Sequence, residues 1–321
     1  MKNRTIYRPG CLGHIYQRGH NGFVVFYNMK DSIVFFTIFM LAAKRYGIRI
    51  SGICLMYNHY HVDFEADNAR IVSKFISAYC SMYSKAFNSR YGFSGKVFDK
   101  YGISNKRSDK ERRTAYAYLY NNPVEWHLCS RAENYQMNFL KYAVEDYPFS
   151  EKIVSRNMSR GFRRAVEQVR YLHSHDRPIL YKTIDRLMDG LIMKEKRQLA
   201  DIIFRTYSRI DYDRAISYYG SFTKMTNAFS DNTGSEYDID EEFDKTAGND
   251  YRKMAHFLAK DCRYNSIGDL VKSPVEERVS YLWELVTNCH VTVEHARRFL
   301  HIHSASDTDH DEEQLAETVT Y

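Results

Sequence analysis

Two histidines stand two positions apart in the segment 56–64, in a stretch rich in strand-forming residues. Side chains along a β-strand alternate between its two faces, so His59, His61, Asp63 and Glu65 share one face. Imidazole and carboxylate groups are common metal ligands. The pattern predicts a strand with one apolar face and one metal-binding face. A pair of solvated histidines on an edge strand is the alternative.

A tyrosine and an asparagine lie four positions apart further along the chain. Ser108 and Glu111 form a capping-box pattern, which predicts a helix beginning there. Tyr118 and Asn122 share one face of that helix. Pro123 disfavours helical geometry at the residue before it, so we expect the helix to end at Asn122. One helix would then present a phenol and a carboxamide oxygen together.

Three ordered segments carry a family resemblance. They are the His-x-x-x-Arg-Gly pattern at 14–19, the Met-x-Asn-His-x-His pattern at 56–61, and the Tyr-x-x-x-Asn-Pro-Val pattern at 118–124. Together they resemble the HUH-type single-tyrosine transposases, the IS200-like family and its REP-associated relatives. The resemblance spans residues 10–150, a little under half of the chain.

The resemblance implies a chemistry and a site. Tyr118 would be the nucleophile, and His59, His61 and Asn122 would bind a divalent metal, Mg²⁺ or Mn²⁺ in preference to Zn²⁺. The activity would be cleavage and rejoining of single-stranded or hairpin DNA through a 5′-phosphotyrosine. A DNA-binding regulator without strand transfer, and a metal-dependent nuclease that uses water, remain alternatives.

Asp63 departs from the family pattern, in which aliphatic residues usually continue the strand. It is an additional ligand, a partner that orients a histidine, or a solvated charge, and we favour the orienting role.

The resemblance also implies a ferredoxin-like antiparallel sheet with helices, an α+β nuclease core over residues 1–150. Asn21 and Gly22 predict a hairpin between strands at 12–18 and 22–28. Asp31 is expected to cap a helix that runs to about residue 46. Strand material follows over 48–64, then a helix over 70–91, a basic loop and the Tyr118 helix.

The basic charge is concentrated in the N-terminal part. Residues 1–150 carry 21 Lys and Arg against 11 Asp and Glu, a net charge of +10, whereas the remainder has 25 against 29, a net −4. The loop 96–113 mixes cations with Phe98 and Tyr101, which is typical of single-strand binding, and a solvated basic loop is the alternative. The predicted DNA contacts here are Arg18, Lys96, Lys100, Lys106, Arg107, Arg112 and Arg113.

The C-terminal part is predicted to be all-helical. We expect a helical connecting region over 151–229, an acidic linker over 230–250 and a helical domain over 251–302. That domain resembles a helix-turn-helix unit, with a helix capped by Ser273 and Pro274 and a last helix over 293–301 capped by Thr292. Arg297 and Arg298 would contact DNA. Residues 303–321 are expected to be disordered.

The six cysteines are scattered without a Cys-x-x-Cys pair, which is typical of reduced thiols. The most apolar run, residues 33–43, is shorter than the roughly 20 residues that a membrane-spanning helix needs. No secretory signal is evident. We therefore expect a cytoplasmic, nucleoid-associated protein without a membrane partner, as a monomer or homodimer.

Overall fold

A four-stranded antiparallel sheet forms the centre of the N-terminal half. The computed structural model describes residues 6–153, 158–231, 246–261, 263–264 and 266–303. Strands β1 (Leu12–Arg18), β2 (Arg49–Leu55), β3 (His59–Glu65) and β4 (Gly102–Lys106) lie in the order β2-β3-β1-β4. Together with the helices around it, this sheet confirms the predicted α+β class.

The register of the two central strands sets up one polar face. β1 and β3 pair His14 with Asp63, Tyr16 with His61, and Arg18 with His59. Residues directly opposite each other in an antiparallel pair point to the same side. These six side chains therefore share one side of the sheet, which we call the site face.

Helices α1 (Met29–Tyr46) and α2 (Ala69–Tyr91) cover the opposite face. Phe35 of α1 and Tyr79 of α2 pack on Tyr60 of β3, with ring centroids 5.0 and 6.2 Å away. Tyr60 is fully buried. The apolar half of the His-x-His strand therefore lies in the core, as its alternation predicts.

The ends of α1 and α2 follow local sequence signals. Gly47 and Gly92 end the two helices in the left-handed conformation, with φ of 64° and 72°. The cap of α1 is Asn28, three residues before the predicted cap Asp31. Asp31 instead accepts from the backbone N–H groups of Tyr27 and Asn28, and thereby closes a capping box.

Helix α3 (Asp109–Glu125) covers the site face. Ser108 and Glu111 form the predicted capping box. The predicted end at Asn122 is wrong, because the helix continues through Pro123 to Glu125. A proline in the last turn removes only one backbone donor, and the N–H of Trp126 still donates to the carbonyl of Asn122 at 3.0 Å.

The predicted hairpin between β1 and α1 is also wrong. A single 3₁₀ turn covers His20–Gly22, and Asn21 adopts a φ of 53°. Residues 23–28 belong to no strand. The N–H groups of Val25 and Phe26 both donate to the carbonyl of Tyr57, so this segment pairs with the chain before β3 instead of with β1.

The predicted basic loop contains β4, which pairs with β1 over Gly102–Lys106. This strand has the sequence Gly-Ile-Ser-Asn-Lys, with one β-branched residue. Its local strand propensity is weak, and pairing with β1 decides its conformation.

Every regular element described beyond residue 158 is a helix, as predicted. The helices are α4 (Arg160–Ser174), α5 (Tyr181–Met188), α6 (Met193–Tyr207), α7 (Tyr212–Ser217), α8 (Phe222–Ser230), α9 (Ala247–Lys260), α10 (Ile267–Lys272), α11 (Val275–Cys289) and α12 (Val293–Phe299). Residues 247–250 of the predicted linker belong to α9. Residues 232–245 of that linker, and the predicted tail from 304 onward, lie outside the described residues.

The sequence predicts two helix caps in the C-terminal part, and one of them is confirmed. Thr292 caps α12, and its side chain accepts from the N–H of His295. Ser273 does not cap α11: it ends α10, and Pro274 takes the N-cap position. The Ser273 hydroxyl donates to the carbonyl of Leu270 and is therefore engaged with the preceding helix.

The C-terminal helices pack directly on the sheet half. The Asn121 amide donates to the carbonyl of Phe229 at 2.6 Å, and the Tyr27 hydroxyl donates to the carbonyl of Phe299 at 2.7 Å. His301 stacks on Phe93 with ring centroids 4.3 Å apart. One cluster of buried apolar residues runs through both parts. In the described part of the chain, no helix combines the length and apolarity needed to cross a membrane.

Candidate active site

Side chains from three elements meet on the site face. β3 contributes His59, His61 and Asp63, which are 3 %, 0 % and 0 % exposed. β1 contributes His14 and Tyr16, and α3 contributes Tyr118 and Asn122 from above the sheet. The structure therefore brings together the four residues predicted for catalysis and metal binding, His59, His61, Tyr118 and Asn122.

His59 is held between two side-chain amides. Its Nδ1 lies 2.8 Å from Asn58 Oδ1, and its Nε2 lies 3.3 Å from Asn122 Oδ1. The Asn58 amide nitrogen donates to the carbonyl of Gly22, which fixes the orientation of that amide. A neutral imidazole has one N–H, and the shorter contact assigns it to Nδ1. The Nε2 lone pair then faces the Asn122 carbonyl oxygen.

His61 has a hydrogen-bond partner on one side of its ring only. Its Nδ1 lies 3.2 Å from Nε2 of His14, whose Nδ1 lies 2.7 Å from Oδ1 of Asp63. The Nε2 atom of His61 is buried and has no hydrogen-bond partner among the described residues. A buried polar atom without a partner is costly, so this nitrogen is a candidate ligand.

Burial keeps both histidines neutral. The pKa of His59 is lowered to about 3, chiefly by desolvation and in smaller part by the charge of nearby Arg18, against the opposing contact with Asn122. Desolvation, followed by the neighbouring His59 and His14, lowers the pKa of His61 well below its usual value. Neutral imidazole is the form that binds metal ions.

Tyr118 faces the imidazoles. Its ring centroid lies 5.1 Å from that of His61 and 5.7 Å from that of His14. Tyr116 points instead to β2, where its hydroxyl donates to Ser51 Oγ at 2.9 Å. The Tyr120 hydroxyl lies 3.4 Å from the Ser51 carbonyl. Of these three helix tyrosines, Tyr118 alone makes ring contacts with the histidines.

Two imidazole nitrogens and one amide oxygen form the candidate ligand set. Among the described residues no three His, Cys, Asp or Glu side chains are placed to hold a metal ion, and the third candidate ligand is the amide of Asn122. The 3.3 Å between His59 Nε2 and Asn122 Oδ1 is close to the roughly 3 Å that separates adjacent octahedral ligands at about 2.1 Å from an ion. The unpartnered His61 nitrogen also fits such a group.

Three further residues border the site and were not predicted as functional. Tyr16 lies 5.1 Å from His61 and Trp126 lies 4.9 Å from His59, between ring centroids, while His14 contacts His61 directly. The alternation of positions 14, 16 and 18 along β1 is the signal that could have placed His14 and Tyr16 on the site face. No local signal places Trp126 beside His59, because that contact depends on how α3 packs.

The cations predicted to contact DNA in the first half differ in exposure. The Arg18 Nε donates to the Tyr16 hydroxyl at 3.0 Å, directly beside the histidines. Lys106 is half-buried where β4 pairs with the start of β1. The exposed members of the set are Lys96, Lys100, Arg107 and Arg113.

Two residues of the basic loop have structural contacts instead. Arg112 donates to the carbonyl of Gly10 and to the hydroxyl of Tyr218, and its side chain is 17 % exposed. Phe98, expected to stack on bases, is 8 % exposed and packs on Tyr60 in the core. Neither side chain presents its functional group to a strand passing along the surface.

The arginine side chains of α12 are not arranged as in an exposed recognition helix. Arg297 is 11 % exposed, pairs with Glu294, and lies over the ring of Phe23 in the sheet half. Arg298 also pairs with Glu294 at 2.7 Å and contacts Gly22. Because both guanidinium groups face the sheet half, the predicted DNA contacts of Arg297 and Arg298 are not supported.

Comparison with known proteins gives one match. No protein-family model matches the chain, and no curated protein sequence does. Among solved structures, a REP-associated tyrosine transposase bound to a REP hairpin is 14 % identical, with a TM-score of 0.38 over 45 % of this chain and 85 % of its own. A likeness of this size does not indicate an activity for this chain.

Proposed function

We propose that this chain is a DNA strand transferase of the HUH single-tyrosine type. It would cut and rejoin single-stranded or hairpin DNA through a covalent bond to Tyr118. The proposed cofactor is a divalent cation, Mg²⁺ or Mn²⁺ in preference to Zn²⁺. A transposase-like role in DNA recombination follows from this activity.

The observation that carries the proposal is the meeting of α3 with β3. One helix places Tyr118 5.1 Å from the His61 ring, and its next turn places Asn122 Oδ1 3.3 Å from His59 Nε2. The proposed nucleophile and the proposed ligands thus adjoin, although they come from elements that are distant in the sequence. Packing alone has no need of two neutral, buried histidines here.

The sheet supports the same proposal. The order of elements is β1, α1, β2, β3, α2, β4, and the strands lie as β2-β3-β1-β4. This succession supports the proposal of a ferredoxin-like core, which the sequence resemblance implies. The helix carrying the proposed nucleophile then follows the last strand.

The proposed reaction retains the energy of the cleaved phosphodiester bond in a covalent bond to the protein. The Tyr118 hydroxyl loses its proton as its oxygen attacks phosphorus, the bond from phosphorus to the 3′ oxygen breaks, and that oxygen takes a proton. The products are a 5′-phosphotyrosine and a free 3′-hydroxyl, and attack by another 3′-hydroxyl reverses the step. A cation held by His59, His61 and Asn122 would supply Lewis-acid stabilisation of the charge on the scissile phosphate. No nucleotide cofactor is required.

Substrate entry requires movement. Tyr118 is 3 % exposed, so a phosphate reaches it only when groups that cover it move aside. We propose that the strand follows the exposed and half-buried cations of the first half, Arg18, Lys96, Lys100, Lys106, Arg107 and Arg113. Their phosphate contacts would make binding fall steeply with salt.

The test is covalent capture of labelled DNA. Hairpin and single-stranded oligonucleotides, labelled on the 5′ or the 3′ side of the cut, are incubated with protein and Mg²⁺ or Mn²⁺ and run on a denaturing gel. We expect the 3′-side fragment to stay with the protein, and Tyr118→Phe to abolish the adduct while DNA binding remains. His59→Ala, His61→Ala and EDTA should also prevent it.

Two neighbouring tyrosines are matched controls. Tyr116→Phe and Tyr120→Phe remove buried hydroxyls that lie next to Ser51 on β2. Both variants should still form the adduct. Metal-dependent cleavage without an adduct would show a nuclease that uses water, and DNA binding without cleavage would show a regulator. Adduct formation by Tyr118→Phe would exclude Tyr118 as the nucleophile.

A further inference from the structure

We infer that Asp63 and His14 form a positioning pair that fixes the tautomer of His61 and so leaves its Nε2 free to bind the cation. This inference rests on the proposed function. It gives Asp63 one role, that of an orienting partner, and adds His14 to the site.

The chain of hydrogen bonds begins at a carboxylate. Oδ1 of Asp63 lies 2.7 Å from Nδ1 of His14, and both side chains are buried. A carboxylate oxygen accepts hydrogen bonds, so the N–H of the His14 ring lies on Nδ1. The other nitrogen of His14, Nε2, is consequently an acceptor.

A second hydrogen bond joins His14 to His61 and fixes which His61 nitrogen is the donor. His14 Nε2 lies 3.2 Å from His61 Nδ1. Because the His14 nitrogen accepts, His61 carries its proton on Nδ1 and has a lone pair on Nε2. That atom is the buried nitrogen without a partner among the described residues. The pair thus leaves a lone pair on the His61 nitrogen that is proposed to bind the cation.

Strand geometry argues against Asp63 as a direct ligand beside His59. The two residues are four positions apart on β3, which separates their Cα atoms by about 13 Å. His61 lies between them. Its Nδ1 faces His14 and the Asp63 side, while its neighbour His59 contacts Asn122. Asp63 therefore lies on the side of His61 away from the ligand set.

His59 and His61 are oriented by different hydrogen-bond partners. Asn58 accepts from Nδ1 of His59 and is itself fixed by the carbonyl of Gly22. His61 relies on the Asp63 and His14 pair. With His14, His61 and Asp63 all at 3 % exposure or less, bulk water does not reach these rings to replace a missing partner.

The test compares Asp63→Asn with wild type on the full-length protein. Two measurements are made: Mn²⁺ binding by isothermal titration calorimetry, and the histidine tautomers of metal-free ¹⁵N-labelled protein by NMR. Wild type should show His61 protonated on Nδ1. In the variant, the introduced amide can donate to His14, which would move the His14 proton to Nε2 and force His61 to the opposite tautomer. We expect Mn²⁺ affinity to fall about 10–100-fold.

A second pair of variants separates hydrogen bonding from packing. His14→Gln keeps an acceptor for the His61 N–H, whereas His14→Leu has similar bulk and none. Affinity should fall less in His14→Gln than in His14→Leu. Tyr60→Phe, which removes a buried hydroxyl from the opposite face of β3, is the control and should leave Mn²⁺ affinity unchanged.

The outcomes distinguish the two proposals. An unchanged His61 tautomer and an unchanged Mn²⁺ affinity in Asp63→Asn would overturn the positioning role. The proposed function would still stand if the wild-type protein bound Mn²⁺. Equal affinities of His14→Gln and His14→Leu would also overturn it. Wild-type protein that bound no Mn²⁺ would overturn the metal-dependent function, and the tautomers would still report whether Asp63 orients the rings.

Discussion

Replacing Gly19 by alanine should disrupt the site through a steric contact. Gly19 has φ −57° and ψ 142°, which any residue adopts, so its backbone torsion does not require glycine. A Cβ here would lie 2.2 Å from the carbonyl oxygen of Phe23 and 2.9 Å from Cγ1 of Val25. The N–H of Gly19 also donates to the carbonyl of Asn58 at 2.6 Å, and Asn58 orients His59.

The expected magnitude follows from these contacts. Relieving the clash requires the backbone near Phe23 to move by about 1 Å, and overpacking of this kind costs about 1–3 kcal/mol. Weakening the hydrogen bond to Asn58 adds about 1 kcal/mol. The free energy of unfolding should fall by about 2–4 kcal/mol, which for a chain of 321 residues lowers the Tm by roughly 3–6 °C. Since Asn58 shifts with Gly19, Mn²⁺ affinity should fall about tenfold or more.

Gly102→Ala on β4 is the matched control, because the nearest atom to its added Cβ is the Tyr16 carbonyl oxygen at 3.9 Å. Thermal unfolding and Mn²⁺ titration of both variants decide the question. The control should behave like wild type. If Gly19→Ala matched it in Tm and in Mn²⁺ affinity, the proposed link from Gly19 through Asn58 to His59 would be refuted.

Three further results are expected. Burial raises the pKa of Asp31 to about 6, above its value in the unfolded chain. The free energy of unfolding should therefore fall by about 3 kcal/mol as the pH rises from 4 past 6. Urea titrations of Asp31→Asn should lack this pH dependence of the free energy of unfolding. Phe299→Ala should lower the free energy of unfolding, measured by chemical denaturation, by about 3–5 kcal/mol, because the buried ring packs on the sheet half. If the C-terminal helices folded independently, the main unfolding transition would stay unchanged. In a Trp283→Phe variant, Co²⁺ should quench Trp126 emission because that indole lies 4.9 Å from the His59 ring, and His59→Ala should abolish the quenching.

Local patterns in the sequence were sufficient for several features of the site. The period of a strand places His59 and His61 on one face, and the period of a helix places Tyr118 and Asn122 on another. The cap at Ser108 fixes where α3 begins. These features depend on residues within a few positions of each other, so they can be read from the sequence. Their catalytic and metal-binding roles remain predictions.

Wrong or unsupported predictions fall where a distant segment supplies the partner. Residues 22–28 carry a hairpin signal, yet the backbone N–H groups of Val25 and Phe26 donate to the carbonyl of Tyr57. Phe98 lies in a basic stretch, but its ring fills the core against Tyr60. Arg297 lies on an amphipathic helix typical of DNA recognition, but it pairs with Glu294 and covers Phe23. In each case the local signal fits two structures, and long-range packing selects one.

Strand and helix periods and the distribution of charge along the chain predict the faces of the site residues and the basic character of the first half. Which of these groups meet depends on the tertiary structure. The register of β1 and β3 brings His14 against Asp63 and His61, and the packing of α3 brings Asn122 to His59. The physical reason is that burial and hydrogen bonding between distant strands and helices depend on the whole core, whereas strand and helix periods depend on neighbouring residues alone.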